Sequence, residues 1–376
     1  GGTYTDAVLL NDADQVEASA KVLTNHQDLV SSIRNVLDTL PQWRLRDTRL
    51  VSLSTTLGTN AVVEGRGTPA CLLLAGYNET QVRRARLHDL VAGGHCVLLA
   101  GAHDAAGNET EPLDLATAEK MIRHHRDQVT AFGISGMFSV RNPAHEIALR
   151  ELVLLETDLP VTCGHELANA LDAPRRAVTV AFNATLVSYI DRLIRSVQKT
   201  LNEHAINAPL MVVKGDGSLI TAKLALERPV ETILSGPAAS VVGALHYTPC
   251  NNAIIADMGC TTTDIAIIAK CRAVLSQDAT QVGPWRPMVE SVRVLSIGLG
   301  GDSEIGFSGG AGLAIGPRRV VPMSLLIDRH PQLMSALISQ SKTTPSARSN
   351  RFAVPLFATQ ALAHIHISEP TRPLYI

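Results

Sequence analysis

Two short stretches of the sequence share a spacing of glycine, threonine and aspartate that could bind phosphate. Residues 1–6 read Gly-Gly-Thr-Tyr-Thr-Asp and residues 259–264 read Gly-Cys-Thr-Thr-Thr-Asp, so both follow the pattern G-x-T-x-T-D, and an apolar run follows each. Glycine has no Cβ, which lets backbone N–H groups approach a phosphate, and threonine hydroxyls add donors. Asp257 and Asp264 could hold a metal ion or position a water molecule. Two such hairpin turns, one in each half of the chain, predict a site for the phosphates of a nucleotide.

A third glycine cluster lies downstream, at residues 296–303, Ser-Ile-Gly-Leu-Gly-Gly-Asp-Ser. It lacks the G-x-G-x-x-G register and the later acidic residue of a Rossmann dinucleotide loop, and no G-x-x-x-x-G-K-[ST] P-loop is present. The cluster is either a backbone platform for the adenosine part of a nucleotide or a simple turn. Ordinary hairpin turns also remain the alternative for the two G-x-T-x-T-D stretches, because turns rich in these residues are common.

A polar loop that follows a short predicted strand is the candidate substrate site. It contains Thr55, Thr56, Thr59 and Asn60, whose hydroxyl and amide groups could hydrogen-bond a small molecule. The alternative, which the sequence favours, is a loop that caps the helix containing Ala61.

Several other polar residues invite a functional interpretation, but a structural role is expected for them. His165 and Glu166 have no second metal ligand at a recognisable spacing, so we expect polar loop or core residues. His124 and His125 lie in a charged helical segment, and we predict that they face solvent. Cys163 has no activating arrangement around it, so it is not expected to act as a nucleophile.

The composition excludes several classes of protein. The chain has 376 residues, of which 45% are hydrophobic and 18% charged, so it can bury a sizeable core and is not wholly disordered. The net charge of −2 and an aromatic content of 3% argue against a nucleic-acid binder. Six scattered cysteines form no CxxC motif, and no apolar run approaches the roughly 20 residues of a membrane span. A cytoplasmic protein without a nucleic-acid or membrane partner is therefore expected.

Apolar periodicity alternates between strand-like and helix-like segments, which predicts an α/β architecture. A hairpin is expected near the start, and the longest helical signal runs over about residues 174–204. Continuous apolar runs predict buried strands at residues 69–75 and 96–100, and a further strand is predicted at 130–139. Helices are predicted at residues 28–40, 116–129 and 143–156, and two apolar strands at 253–256 and 265–268 flank the second G-x-T-x-T-D stretch.

Five motifs in order give a specific resemblance. They are Gly-Gly-Thr-Tyr-Thr-Asp at 1–6, Ser-Thr-Thr-Leu-Gly-Thr-Asn-Ala at 54–61, Ser-Gly-Pro-Ala-Ala-Ser at 235–240, Asp-Met-Gly-Cys-Thr-Thr-Thr-Asp at 257–264 and Ile-Gly-Leu-Gly-Gly-Asp at 297–302. Together they resemble the hydantoinase A/5-oxoprolinase family, which is related to the ATP-handling subunit of acetone carboxylase. The resemblance implies the actin/hexokinase/Hsp70-type ATPase fold, an α/β fold with two α/β domains around a nucleotide cleft. It also implies ATP and Mg²⁺ as cofactors.

The resemblance assigns roles to individual residues. Asp257 would bind Mg²⁺, and Asp257 and Asp264 would be the catalytic carboxylates. The adenosine loop would contain Gly298, Gly300 and Gly301. The remaining cofactor-binding residues would be Gly1, Gly2, Thr3, Thr5, Asp6, Gly259, Thr261 and Thr262. The sequence departs from the family in two places: the family carries an Asp shortly before the first glycine pair, and it usually has Gly where Cys260 stands.

The resemblance extends from residue 1 to about Leu326 and predicts three regions: an N-terminal family domain at 1–172, an ATPase-like domain at 173–326 and a poorly defined tail at 327–376. A glycine pair at the very start is a turn without the strand that should lead into it, so we expect a missing first strand. Residues 364–376 resemble a translated sequencing adapter. The chain is therefore expected to be a fragment.

The function that the resemblance implies is the ATP- and Mg²⁺-dependent opening of a cyclic amide, of the hydantoin or 5-oxoproline type, by phosphoryl activation of a carbonyl. A large companion subunit similar to hydantoinase B is a possible partner. Two alternatives stay open: an ATP-handling subunit of a carboxylase or kinase on the same fold, and a nucleotide-regulated subunit without catalysis of its own.

Overall fold

A computed structural model describes residues 4–25, 28–63, 65, 67–248, 250–259, 262–276, 280–308 and 312–320. The chain divides into two compact units. The first contains residues 1–239 and 275–292, and the second contains residues 240–274 and 293–376. Each unit combines helices and strands, as the α/β prediction requires. The domain boundaries predicted at residues 172 and 326 stay a prediction.

The first unit holds most of the regular structure. Its strands are β1 Tyr4–Leu10, β2 Val16–Leu23, β3 Val51–Leu53, β4 Ala70–Ala75, β5 His95–Leu99, β6 Ala102–His103, β7 Glu109–Glu111, β8 Ala131–Gly136, β9 Val161–Cys163, β10 Leu210–Val213 and β11 Leu219–Thr221. Its helices are α1 Leu29–Asp38, α2 Gln42–Leu45, α3 Leu57–Val63, α4 Glu79–Ala85, α5 Leu87–Leu90, α6 Leu115–His125, α7 Ala144–Glu156, α8 Gly164–Leu167, α9 Ala173–Glu203 and α10 Ala222–Glu227, followed by a short 3-10 helix, Pro229–Thr232.

A four-stranded parallel sheet forms the core of this unit, with the order β5-β4-β8-β9. Every residue of β4 is buried, as its continuous apolar run predicts, and so is every residue of β8. The prediction of a fully buried strand at 96–100 is wrong for Leu98 of β5, which is 37% exposed because β5 is an edge strand of this sheet. Leu72 and Leu74 face one hydrophobic cluster that includes α9, while Cys71 and Leu73 face another that includes α6 and α7. The sheet is therefore covered by helices on both faces, which is the arrangement that buries two apolar faces at once.

The long helix α9 is confirmed at Ala173–Glu203, one residue from the predicted bounds. Asp172 caps it by accepting a hydrogen bond from the Arg175 backbone N–H, and Pro174 stands in its first turn. Among the described residues, α9 is the one helix that is long and apolar enough to cross a membrane, judged by length and composition alone. However, 78% of its most apolar 18-residue stretch is buried inside the protein. That burial is typical of a core helix.

Three smaller sheets complete the described part of the first unit. β1 and β2 pair as the antiparallel hairpin that the sequence predicts, with an irregularity between Leu9 and Leu10. β10 pairs in parallel with β3 and antiparallel with β11. β6 and β7 form a short antiparallel pair.

The second unit is built around antiparallel strands. Helix α11, Ser235–Tyr247, begins in the first unit and continues into this one. The strands are β12 Asn252–Met258, β13 Thr263–Ala269, β14 Arg272–Ala273, β15 Val294–Ile297, β16 Ser303–Ser308 and β17 Gly312–Arg319. β13 pairs with β12, β14 and β15, and β16 pairs with β17.

The two faces of the β12–β13–β15 sheet differ in exposure. Ala266 and Ile268 lie on one face and are 1% exposed each, whereas Ile254 and Leu295 on the other face are 76% and 63% exposed. The alternation of a strand places successive side chains on opposite faces, so the buried face is also the face of Asp257 and Asp264.

The prediction that His124 and His125 both face solvent is wrong for His125. His124 is exposed, but His125 is only 6% exposed and stacks on His95, with ring centroids 4.0 Å apart. The stripe Ala118, Ile122 and His125 of α6 packs toward the sheet, because residues three and four apart share a helix face. The histidine pair in the sequence therefore straddles the boundary between the two faces of the helix.

Candidate functional site

The turn between β12 and β13 carries the second G-x-T-x-T-D stretch. The Gly259 backbone N–H donates to the Thr262 carbonyl oxygen at 2.8 Å and closes the ladder. Met258 faces Thr263, and Asp257 faces Asp264 in the antiparallel register. Cys260 and Thr261 lie outside the described residues. The predicted hairpin is confirmed, and Gly259 and Thr262 lie at its end.

Asp257 and Asp264 lie directly opposite each other on neighbouring strands. Side chains in such a position have Cβ atoms about 4.5–5.5 Å apart, and two like charges there repel. Partial burial raises the pKa of Asp264, the facing Asp257 carboxylate raises it further, and the hydrogen bond from Ser296 opposes both effects. A divalent cation between the two carboxylates would relieve this repulsion, and carboxylate oxygens are ligands that Mg²⁺ prefers.

Each carboxylate accepts a hydrogen bond from a serine hydroxyl. Ser240 of α11 donates to Asp257 Oδ2 at 2.6 Å, and Ser296 of β15 donates to Asp264 Oδ1 at 2.5 Å. Sequence reasoning missed both serines. Ser240 ends the motif at 235–240 and Ser296 opens the third glycine cluster, so both were visible as motif residues, but only the fold brings them to the carboxylates.

The third glycine cluster packs on the same hairpin. Thr263 Oγ1 donates to the Leu299 carbonyl oxygen at 2.7 Å, and the Gly301 backbone N–H donates to the Gly259 carbonyl oxygen at 3.1 Å. β15 ends at Ile297, opposite Thr263, so the glycine loop that follows β15 begins beside the turn between β12 and β13. The residues predicted to contact phosphate and adenosine in the second half of the chain are thus neighbours.

Gly298 has no structural reason to be glycine among the described residues. A Cβ at this position would meet no atom within 4 Å, and its φ is not in the left-handed range. Gly300, unlike Gly298, lies in a buried position, where its backbone N–H donates to Ser303 Oγ at 2.9 Å. An open backbone beside Gly298 leaves room for a ligand.

The first G-x-T-x-T-D stretch lies in the other unit and only part of it is described. Gly1, Gly2 and Thr3 lie outside the described residues. Thr5 and Asp6 stand near the start of β1, as Thr263 and Asp264 stand at the start of β13. The Thr5 and Thr24 hydroxyls are 3.0 Å apart, and Asp6 forms an ion pair with Lys21 at 3.0 Å. The Asp6 carboxylate is therefore already neutralised, unlike Asp264.

The candidate substrate loop is used mainly for packing. Thr55 Oγ1 accepts from the Leu57 N–H at the start of α3, and Ser235 Oγ donates to the Thr55 carbonyl oxygen at 2.9 Å. Thr59 Oγ1 accepts from the Leu234 N–H at 3.0 Å.

The Thr55 bond to the Leu57 N–H is the bond expected of the capping alternative, whereas the Ser235 and Leu234 bonds tie the loop to the start of α11. For the side chains of Thr56 and Asn60, the described part of the chain provides no hydrogen bond. Of the four candidate substrate residues, these two therefore have side-chain polar groups that are available to hydrogen-bond a small molecule.

A buried polar cluster lies at the ends of β8 and β9. Glu146 is fully buried, and its carboxylate accepts from the Gly136 N–H, the His165 N–H and His165 Nδ1, the last at 2.6 Å. Burial pushes the pKa of Glu146 up, but these donors outweigh it and hold the pKa below its usual value.

Possible ligand atoms of Glu146, Cys163 and His165 lie within 4.8 Å of one another. Burial raises the pKa of the Cys163 thiol, and the nearby Glu146 carboxylate adds to the effect. Since the thiolate is the metal ligand and nucleophile, a protonated thiol beside a hydrogen-bonded Glu146–His165 pair is a structural arrangement. The His165–Glu146 contact could not be predicted from the sequence, because the two residues are 19 positions apart in the chain.

Comparisons with solved structures define the class of the fold. The chain superposes on an ATP-dependent caprolactamase from Pseudomonas jessenii with a TM-score of 0.69 and 25% identity, covering 85% of this chain and 50% of that one. It superposes on acetone carboxylase in a nucleotide-free structure with a TM-score of 0.67 and 19% identity, again covering 85% and 50%. The predicted actin/hexokinase/Hsp70-type α/β fold is confirmed.

Sequence comparisons define the family. The family model described as hydantoinase/oxoprolinase N-terminal region matches residues 1–157, and the one described as hydantoinase/oxoprolinase matches residues 176–325. The chain belongs to the hydantoinase/oxoprolinase family.

Two curated relatives agree. Caprolactamase subunit alpha of Pseudomonas jessenii is 28% identical over 346 residues, which are 85% of this chain and 49% of that protein. An uncharacterised protein of Methanocaldococcus jannaschii is 26% identical over 291 residues, 71% of this chain and 42% of its own length. The chain spans about half the length of the curated relatives it matches.

Proposed function

We propose that the protein to which this chain belongs is an ATP- and Mg²⁺-dependent hydrolase that opens a cyclic amide, of the lactam, hydantoin or 5-oxoproline type. The observation that carries the proposal is the Asp257–Asp264 pair at the base of a glycine–threonine turn, with the 298–301 loop packed on that turn. Family membership and the caprolactamase relative support the reaction class.

Few charged side chains are required for the proposed reaction. Thr262 would contact phosphate through its hydroxyl, and Gly259, whose N–H is used by the Thr262 carbonyl oxygen, would let the phosphate approach the turn closely because it has no Cβ. Asp257 would bind Mg²⁺ with Asp264 beside it. Bound ATP would supply the phosphoryl group that activates the amide carbonyl. Gly298, Gly300 and Gly301 would lie along the adenosine part, and fixed donors aimed at developing charge would contribute the electrostatic stabilisation.

The remaining roles are those proposed from the sequence. Thr5 would contact phosphate, and Asp6, which forms an ion pair with Lys21, would bind the cofactor only after giving up that partner. Thr56 and Asn60 are the better substrate candidates in their loop, since the Thr55 and Thr59 hydroxyls accept backbone hydrogen bonds. The caprolactamase relative is called subunit alpha, which supports a companion subunit for this protein as well. The cytoplasmic location stays a prediction.

The test is nucleotide binding and turnover with Asp257→Asn. In isothermal titration the full protein should bind ATP·Mg²⁺, and with its companion subunit it should release ADP in the presence of a lactam, a hydantoin or 5-oxoproline. Asp257→Asn should lower the rate by about 10²–10³-fold, as expected for a lost electrostatic contact to the transition state.

Asp191→Asn serves as the matched control, because Asp191 forms a surface i,i+4 pair with Arg195 and should not affect the rate. Absence of ATP·Mg²⁺ binding by the full protein would reject the proposal. ADP release that needs bicarbonate and a ketone would favour a carboxylase, a phosphorylated product would favour a kinase, and binding without turnover would favour a regulatory subunit.

A further inference from the structure

The two carboxylates of the candidate site form the centre of a row of four side chains. Ser240 of α11 contacts Asp257 of β12, Asp257 faces Asp264 of β13, and Asp264 contacts Ser296 of β15. Ser296 is also the register partner of Asp264 in the antiparallel ladder. Three strands and one helix thus contribute one residue each, in the order hydroxyl, carboxylate, carboxylate, hydroxyl.

Each serine hydroxyl donates a hydrogen bond to one particular carboxylate oxygen. The bond from Ser240 goes to Asp257 Oδ2, and the bond from Ser296 goes to Asp264 Oδ1. The described residues give no hydrogen bond to the other oxygen of either carboxylate. A carboxylate held at one oxygen cannot rotate freely, so its second oxygen keeps a fixed direction.

The neutrality of the two partners distinguishes this pair from Asp6 and Asp302, the acidic residues of two other motifs. Asp6 pairs with Lys21 and Asp302 pairs with Arg319, so a cation neutralises each of them. Within the described ranges neither Asp257 nor Asp264 forms an ion pair. A serine hydroxyl can fix a carboxylate by a hydrogen bond while leaving its negative charge available.

We propose that Ser240 and Ser296 are positioning residues that orient Asp257 and Asp264 toward a shared divalent cation without neutralising them. This inference rests on the proposed function, since it assumes that the carboxylate pair binds the metal. Hydrogen-bond partners of metal ligands fix ligand direction, and their loss typically lowers metal affinity about 10–100-fold. Neither serine touches the substrate or the cation.

The experiment measures Mn²⁺ binding by the whole chain, from the loss of the free-ion electron paramagnetic resonance signal. Ser240→Ala and Ser296→Ala should each weaken Mn²⁺ binding about 10-fold or more. Ser240→Thr and Ser296→Thr keep the hydroxyl and should restore it. Ser240→Lys places a cation beside Asp257 and should weaken binding more than Ser240→Ala does.

A matched control separates positioning from folding. Ser196→Ala removes a hydroxyl that donates to the Arg192 carbonyl oxygen at 2.6 Å on α9, and it should leave Mn²⁺ binding unchanged. The thermal midpoint without metal should be the same for all Ser240 and Ser296 variants within a few degrees. A parallel loss of stability and binding that threonine does not rescue would overturn the positioning role.

The remaining outcomes separate this inference from the proposed function. If the wild-type chain binds Mn²⁺ and both alanine variants bind it equally well, the positioning role is wrong and the proposed function stands. If the wild-type chain binds no Mn²⁺ but binds ATP·Mg²⁺ in titration, the shared-cation inference is wrong. If it binds neither, both proposals are wrong.

Discussion

Gly94 and Gly298 differ in what a side chain would meet at their positions. At Gly94 a Cβ would lie 1.9 Å from the Ala70 carbonyl oxygen, so the packing at the start of β4 forbids a side chain. At Gly298 a Cβ would meet no described atom within 4 Å. The first glycine is required by the folded chain itself, and the second is required only if something outside the chain approaches it.

The contrast between Gly94 and Gly298 predicts what a single added methyl group does at each position. Gly298→Ala should leave the free energy of unfolding within about 1 kcal/mol of wild type, as expected for glycine replaced in an unstrained position. It should nevertheless weaken ATP binding, because the new methyl group occupies the space beside the loop.

Urea unfolding and isothermal titration on the same preparation check both parts. Gly94→Ala is the control, and it should destabilise strongly. Equal ATP affinity in Gly298→Ala and wild type would contradict the proposed role of the loop.

At the scale of elements, long apolar runs were predictable and contacts between distant polar residues were not. β4 is buried on both faces, so its continuous apolar composition identified it. α9 showed a clear 3.6-residue period. Ser240, Ser296 and the Glu146–His165 pair gave no comparable signal, because a hydrogen bond between distant residues leaves no periodic pattern. His125 was misassigned because its neighbours in the sequence are polar or charged, while in space its ring stacks on His95 of β5.

The packing of α6 on β5 predicts a pH dependence of stability. Burial lowers the pKa of His125, and the nearby His95 and His124 lower it further. Its Nδ1 atom is buried and has no hydrogen-bond partner among the residues that the structure describes. An unfolded histidine has a pKa of about 6.5, so below that pH the unfolded chain binds a proton that the folded chain resists. The contribution of His125 to stability is therefore full above pH ~6.5 and is lost as the pH falls toward the lowered pKa.

Urea unfolding at pH 7.5 and 5.5 checks this expectation. The loss of stability on acidification should be smaller in His125→Phe, which keeps an aromatic ring against His95. It should not vanish, because burial also lowers the pKa of His103. His124→Gln is the exposed control and should behave nearly as wild type. An unchanged pH dependence in His125→Phe would contradict the assignment.

At the scale of the whole molecule, a near-neutral chain can still hold a polyanion. The net charge is −2, and the residues proposed to contact phosphate are glycines and threonines. Backbone N–H groups supply partial positive charge without adding a formal charge. The class of fold and the family followed from five motifs, whereas the substrate did not, because those motifs concern the nucleotide.

The first unit is held together by a polar residue in the middle of its long helix. Asn183 is fully buried; its amide donates to Thr162 Oγ1 and to the Glu227 carbonyl oxygen, and its Oδ1 accepts from the Val230 N–H at 3.1 Å. Asn183→Ala should destabilise the protein by about 1–3 kcal/mol for each buried partner left unpaired. Asn202→Ala, at an exposed position of the same helix, should change stability little. Denaturant unfolding compares the two, and equal midpoints would contradict the role of Asn183.

The burial of α9 also bears on exchange with solvent deuterium. Local opening exposes backbone amides most readily where few apolar contacts hold an element, and least where a whole domain must unfold. Most residues from Ala173 to Ile194 are buried, against both the parallel sheet and the segment around the 3-10 helix. Their amides should be the last to take up deuterium, so α9 would report global unfolding while the β1–β2 hairpin reports local fraying.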